Sequence, residues 1–219
     1  MKLKLFLLLA IMGLGYHSYA QKGFPFDDEI RTFKHQDSLQ FPKAGGILFI
    51  GSSSIRKWTD LEQRFAGKPI IKRGVGGSEL SQWVKYYTPY VLFPYKPSKV
   101  FVYAGENDIA AGRSAKQVQA DFIQLWTMIR KRLPQADVYF MSIKMSPVRA
   151  KYYTEVELAD NLIRGYLAGK PHSYYIDVNT ALLKKKTAFP DSSLFNNDYL
   201  HLNSKGYDRW EKVLKKHVK

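Results

Sequence analysis

Five short apolar runs, separated by stretches of helical spacing, constrain this chain more than any other feature of its sequence. They are ILFI at 47–50, PIIKR at 69–73, KVFVYA at 99–104, DVYFMSI at 137–143 and SYYIDV at 173–178. Each is rich in β-branched or aromatic residues and is bounded by Gly, Pro or a charge, as strands buried on both faces are. The clearest helical pattern spans Ser114 to Leu133, where Ala115, Val118, Phe122, Leu125, Trp126, Ile129 and Leu133 recur at three- and four-residue steps. Ser114 with Gln117 forms a capping box there, and Pro134 ends the run. Further helices fit Asp28 to His35, Glu79 to Tyr90, Tyr153 to Ala168 and Gly206 to His217. This alternation predicts an α/β fold: a parallel sheet of about five strands, joined by βαβ crossovers, with helices on both faces.

A chain of 219 residues suits one domain. Its first twenty residues, MKLKLFLLLAIMGLGYHSYA, hold two lysines, an apolar run from Leu5 to Leu14, and small residues at Ser18 and Ala20. That pattern predicts a signal peptide over residues 1–20, cut near Ala20, and a domain over 21–219 exported to the periplasm or the medium. The apolar run is shorter than the roughly 20 residues that cross a bilayer. With no cysteine in the chain, a disulfide framework, a lipoprotein attachment site and thiolate chemistry are excluded. The 34 basic and 19 acidic residues give a formal charge of +15, or +13 once Lys2 and Lys4 leave with the leader. Such a balance favours peripheral contact with anionic envelope components. The scattered lysines read as a solvated basic surface rather than a dedicated polyanion site, and no nucleic-acid-binding signature accompanies them.

In an open parallel sheet, ligands collect at the carboxyl ends of the strands. There the chain places Gly51-Ser52-Ser53-Ser54, then Gly74-Val75-Gly76-Gly77-Ser78, then Gly105-Glu106-Asn107-Asp108. A serine nucleophile needs a base, and the base needs a partner that fixes its tautomer. Of His35, His172, His201 and His217, only His201 has a carboxylate three residues earlier on a turn, Asp198 in Asp198-Tyr199-Leu200-His201. Taken singly, these signals read as turn chemistry, tight-turn glycines and a surface ion pair. Spacing leaves the choice among Ser52, Ser53 and Ser54 open. No Gly-x-Ser-x-Gly elbow surrounds them, and no His-x-x-x-His or comparable cluster suggests a metal, so neither metal nor cofactor is expected.

In order and separation, ILFIGSSSIR, RGVGGSEL, VYAGENDI and DYLHLNSKGY resemble the four blocks of the SGNH hydrolases, also called the GDSL family. The resemblance covers the chain beyond the leader and implies a flavodoxin-like three-layer α/β/α sandwich. It implies Ser53 as nucleophile, Asp198 and His201 as its acid and base, and an oxyanion hole built from Ser53, Gly77 and Asn107. One position departs: where the family's name motif has Asp, this chain has Ser52. The implied activity is that of a secreted serine carboxylester hydrolase acting on short-chain or carbohydrate acyl esters, with a small-molecule or glycan substrate. A lysophospholipase or lipase-type acylhydrolase is one alternative. A catalytically silent glycan-binding module is another, with Tyr86, Tyr87, Tyr90, Tyr152 and Tyr153 expected around the cleft. The segment 142–149 after the fourth run is expected to wall that cleft, with Lys144 or Arg149 meeting an anionic substrate.

Overall fold

The computed structural model describes residues 23–185 and 187–219, and the expected signal peptide lies outside them. Every one of the five apolar runs forms a strand: β1 (Ile47–Gly51), β2 (Ile70–Gly74), β3 (Lys99–Tyr103), β4 (Asp137–Met141) and β5 (Ser173–Ile176). All pair in parallel in one sheet of order β2-β1-β3-β4-β5.

Alternate side chains of each strand enter opposite layers, which is why the central strands β1, β3 and β4 are apolar on both faces while the edge strands are less so. Leu48, Ile50, Val100, Val102, Val138 and Phe140 face a layer containing Ile30, Phe122, Ile129 and Ile163. These come from α1 (Asp27–Leu39), α2 (Ala115–Arg132) and α3 (Tyr153–Leu167). Phe49, Phe101, Tyr139 and Ile176 face the other layer with Trp58, and with Tyr207, Trp210 and Leu214 of α4 (Ser204–Leu214). The result is the expected three-layer sandwich. Register is held by a ladder of rings on neighbouring strands, Phe49, Phe101, Tyr139 and Tyr174, with centroids 4.5, 4.5 and 4.7 Å apart. A slip of one residue would send each ring to the opposite layer, and burying one such side chain is worth about 1.5–3 kcal/mol.

The capping box of α2 forms as expected: Ser114 Oγ accepts the Gln117 N–H, and the Gln117 side chain accepts the Ser114 N–H. The helix expected over Glu79 to Tyr90 is instead broken into an α turn (Leu80–Gln82), a π turn (Trp83–Tyr87) and a second α turn (Thr88–Val91). Pro89 has no N–H to offer the Lys85 carbonyl, so the ladder widens and the Thr88 N–H reaches back five residues to the Trp83 carbonyl. Among the described residues, no helix is long and apolar enough to cross a membrane.

From β1 the chain moves to one side to form β2 and then to the other to form β3, so the strand order reverses at β1. Gly51, Gly74 and Tyr103 end these strands in register, and the loops that follow them open onto one edge, the crevice where ligands bind in sheets of this kind.

Candidate active site

Gly51 closes β1 at φ 137°, and a Cβ there would fall 1.8 Å from the Tyr103 carbonyl oxygen. Glycine therefore allows β1 to end flush against β3, where the Ser52 N–H donates to that carbonyl at 2.9 Å. The chain then turns directly into the helical turn Ser53–Arg56. Ser53 opens that turn, so its N–H is one of the donors a helix start leaves without an internal partner. Of the three serines, Ser52 and Ser54 are fully buried and their hydroxyls find no partner among the described residues, whereas Ser53 keeps 8 % exposure. Local geometry thus separates three residues that spacing could not.

Some 150 positions later, the segment before α4 folds back onto Ser53. Phe195 and Leu202 bridge, Asn203 caps the start of α4, and the Tyr207 hydroxyl donates to the Ser54 carbonyl at 2.9 Å. His201 Nε2 thereby lies 2.9 Å from Ser53 Oγ. On the other side of the ring, Nδ1 lies 2.6 Å from Asp198 Oδ2, while Asp198 Oδ1 accepts the N–H groups of Leu200 and His201. Burial works against the Asp198 charge. The His201 ring, with the N–H groups of His201 and Leu200, outweighs it and holds the carboxyl below the usual range. An ionised carboxylate accepts only, so the proton sits on Nδ1 and the Nε2 lone pair faces the hydroxyl. Lys57 Nζ also approaches Nδ1, at 3.3 Å. An ammonium is a donor only and cannot bond a protonated nitrogen, so the closer carboxylate decides the tautomer.

The other two loops bring Gly77 and Asn107 to the same edge. Ser78 N–H to Val75 O, at 3.3 Å, closes a turn in which Gly77 holds φ 77°, and the Gly77 N–H has no acceptor among the described residues. Asn107 donates through Nδ2 to the Ser78 carbonyl at 3.1 Å and accepts at Oδ1 from Arg149 Nη2 at 3.0 Å. Guanidinium nitrogens only donate and a carbonyl only accepts, so both neighbours fix the same amide orientation. That leaves one N–H of the Asn107 amide free of either contact. The structure thus joins Ser53, His201 and Asp198 in one hydrogen-bonded relay and sets the loops that carry Gly77 and Asn107 at the same sheet edge.

The remaining candidates are placed elsewhere. His172 pairs with Asp137 at 2.9 Å at the amino end of β4, His217 is half-buried near the C-terminus, and His35 lies on the exposed face of α1. No group of three or more His, Asp or Glu among the described residues is arranged to hold a metal ion. Tyr87 is wholly buried, Tyr86, Tyr152 and Tyr153 pack against the core, and only Tyr90 is exposed.

The expectation that Lys144 meets substrate is corrected. Its side chain is fully buried, with Nζ against Glu106 Oε2 and 3.2 Å from the Tyr103 hydroxyl, which itself donates to Glu106 at 2.6 Å. A buried ammonium needs a buried counter-charge, and the helical turn that follows β3 supplies it one residue before Asn107. Burial raises the Glu106 pKa, but the charges of Lys144 and Arg149 prevail and hold it below the ordinary range. Arg149 does border the site, yet it is occupied, donating to the Glu106 carbonyl at 2.8 Å as well as to Asn107. Its part in fixing the Asn107 amide was invisible in the sequence, because the two residues are 42 positions apart.

The model of the GDSL-like Lipase/Acylhydrolase family matches residues 48–209. By sequence, no curated protein matches the chain. Among solved structures, a protein from Streptococcus pneumonia described as a platelet activating factor superposes with a TM-score of 0.78 at 19% identity, covering 89% of this chain and 92% of that one. A GDSL-like lipase from Bacteroides thetaiotaomicron gives 0.71 at 15% identity, covering 86% and 96%. A carbohydrate esterase family 3 structure from Talaromyces cellulolyticus gives 0.65 at 16% identity, covering 80% and 96%. At these identities the likeness establishes the fold.

Proposed function

Since the chain belongs to the GDSL-like Lipase/Acylhydrolase family, and is thereby a hydrolase of acyl esters, we propose that it is a serine carboxylester hydrolase with Ser53, His201 and Asp198 as its triad. The observation that carries this reading is the unbroken relay from Asp198 Oδ2 through His201 to Ser53 Oγ, at 2.6 and 2.9 Å. In the first half-reaction Ser53 Oγ attacks the ester carbonyl carbon as His201 Nε2 takes the hydroxyl proton, and Asp198 offsets the charge of the imidazolium. The tetrahedral intermediate collapses to an acyl-serine, and His201 returns the proton to the departing alcohol oxygen. Water, deprotonated by the same nitrogen, then frees the acid and restores Ser53.

Each addition step places negative charge on the former carbonyl oxygen. The N–H groups of Ser53 and Gly77 and the free amide N–H of Asn107 receive it, already oriented and without reorganisation. We propose short-chain or carbohydrate acyl esters as substrates. Asp198 retains 43% side-chain exposure, so the rim is open enough for the bulk of a sugar to stay in solvent, and the fold is shared with a carbohydrate esterase. Export by way of the leader at residues 1–20 belongs to the same proposal.

Kinetics on p-nitrophenyl esters from acetate to decanoate, with acetylated sugars alongside, test it. Turnover is greatest at the short end and is abolished in Ser53→Ala and His201→Ala with circular dichroism unchanged. Undiminished hydrolysis by Ser53→Ala would refute the triad. A maximum at long chains would favour a lipase-type substrate.

A further inference from the structure

The family match begins at residue 48, yet the segment ahead of it touches the loop that presents Gly77. The Glu29 carboxylate, in the first turn of α1, accepts the Gly76 N–H through both oxygens at 3.1 Å. Glu29 Oε1 also pairs at 3.3 Å with Arg56, the last residue of the helical turn that Ser53 opens. One residue before α1, the Phe26 ring lies against Gly77, where an added Cβ would come within 3.2 Å of its Cζ. Phe26 itself holds φ 57°, a left-handed conformation that a bulky residue rarely adopts and that persists only where its surroundings impose it. The far end of α1 is anchored to β2 and to the chain before β3: the Asp37 carboxylate, 9% exposed, accepts from Arg73 and from the Tyr95 hydroxyl at 2.6 Å.

The consequence follows from turn geometry. With φ 77° at its third residue, the Val75–Ser78 turn has the type II form, and type I differs from it by a flip of the peptide between Gly76 and Gly77. That flip would turn the Gly77 N–H away from the site. Two adjacent glycines oppose it only weakly, because both conformations are open to them. Glu29 holds the peptide immediately before the one that would flip, with a charged acceptor that bonds more strongly than a neutral one.

Building on the reading of Ser53 and Gly77 given above, we infer that Glu29 is a positioning residue. It keeps the Gly77 N–H aimed into the oxyanion site and, through Arg56, keeps that donor at a fixed distance from the Ser53 N–H. The N-terminal helix is in this way part of the active site.

Steady-state kinetics on p-nitrophenyl acetate, paired with the affinity of an alkylboronic acid that forms a tetrahedral adduct on the serine, test this. Glu29→Ala is expected to lower kcat about 10- to 100-fold with KM within about threefold, a fraction of the cost of deleting a donor outright. Boronate affinity falls in parallel, because the same donors hold both species. Glu29→Gln, which keeps an acceptor oxygen, stays within about threefold of wild type on both counts. Arg31→Ala, on the same helix with 72% side-chain exposure, leaves both unchanged. Should Glu29→Ala fail to fold, Glu29→Asp, shorter by one methylene, is expected to show the same paired loss. Wild-type kcat in Glu29→Ala, or in Glu29→Asp where that variant stands in for it, overturns the inference, as does a fall in kcat without a fall in boronate affinity. If Ser53→Ala is inert while Glu29→Ala is fully active, the inference alone fails. A wild-type protein with no esterase turnover overturns the reading of the site as well.

Discussion

Replacing Asn107 separates a donor's role from that of a mere spacer, because alanine and aspartate fail there for different reasons. Alanine removes the amide and with it one oxyanion donor, a loss of about 2.7–4 kcal/mol, or about 10²–10³ in kcat. Aspartate keeps the shape and the contact with Arg149, which lies 3.0 Å from Oδ1, but sets a second oxygen where Nδ2 now donates to Ser78 O at 3.1 Å. A carboxylate about 3.5 Å from the developing oxyanion repels it by about 4–5 kcal/mol at an effective dielectric of 20. The neighbouring guanidinium offsets part of that repulsion, so Asn107→Asp is expected to fall at least about tenfold below Asn107→Ala. Alanine loses the bond to the Ser78 carbonyl, about 0.5–1.5 kcal/mol, and the one from the charged Arg149, about 1.5–3 kcal/mol, while aspartate loses only the first. Initial rates on p-nitrophenyl acetate, after melting curves have established that both variants are folded, give the ratio directly. An aspartate variant as fast as the alanine variant, or faster, would refute the placement of this amide at the oxyanion.

Two further outcomes concern the buried charges that frame the site. Asp108 accepts the Leu80 N–H at 2.9 Å, its other oxygen is buried without a partner among the described residues, and burial, aided by Glu79 and Asp121, pushes its pKa up to about 7. Because this folded-state value lies above the unfolded value near 3.9, the native chain holds a proton that the unfolded chain releases, and stability falls as pH rises between about 4 and 7. Asn at this position cannot titrate, so the melting temperature of Asp108→Asn relative to wild type should be higher at pH 8 than at pH 4.5; a pH-independent difference would contradict this. Lys144→Met leaves the buried Glu106 carboxylate with only Arg149 and Tyr103, at a cost of about 3–5 kcal/mol and about 10 °C in melting temperature. Adding Glu106→Gln should recover most of that loss, and a double variant no more stable than the single would argue against the pair.

What was legible in the sequence follows from what is local. Strands buried on both faces must be apolar throughout, so ILFI and KVFVYA announced β1 and β3, and the i, i+3 spacing of Asp198 and His201 announced a contact made within one turn. That three polar and glycine-rich loops gather at the strand ends was legible because short loops follow short strands, but the choice of Ser53, Gly77 and Asn107 within them came from the four-block resemblance alone. Contacts between distant segments left no such mark. Lys144 stands in a loop that reads as exposed, and only the delivery of Glu106 from 38 positions away accounts for its burial. Glu29 and Gly76 are 47 positions apart and share no periodicity, so nothing in the sequence joined α1 to the site. Pro89 was visible, but its effect was to widen the helix into a π turn rather than to end it, because packing of Trp83, Tyr87 and Val91 into the core holds the segment helical on both sides of the proline.

The central claim is that one serine of three adjacent ones is made nucleophilic by the imidazole of residue 201. Reaction of the protein with a fluorophosphonate, followed by mass-spectrometric mapping of the modified peptide, tests it most directly. A single adduct on Ser53, lost when His201 is replaced by alanine, is the predicted result; an adduct on Ser52 or Ser54, or none at all on folded protein, would contradict it.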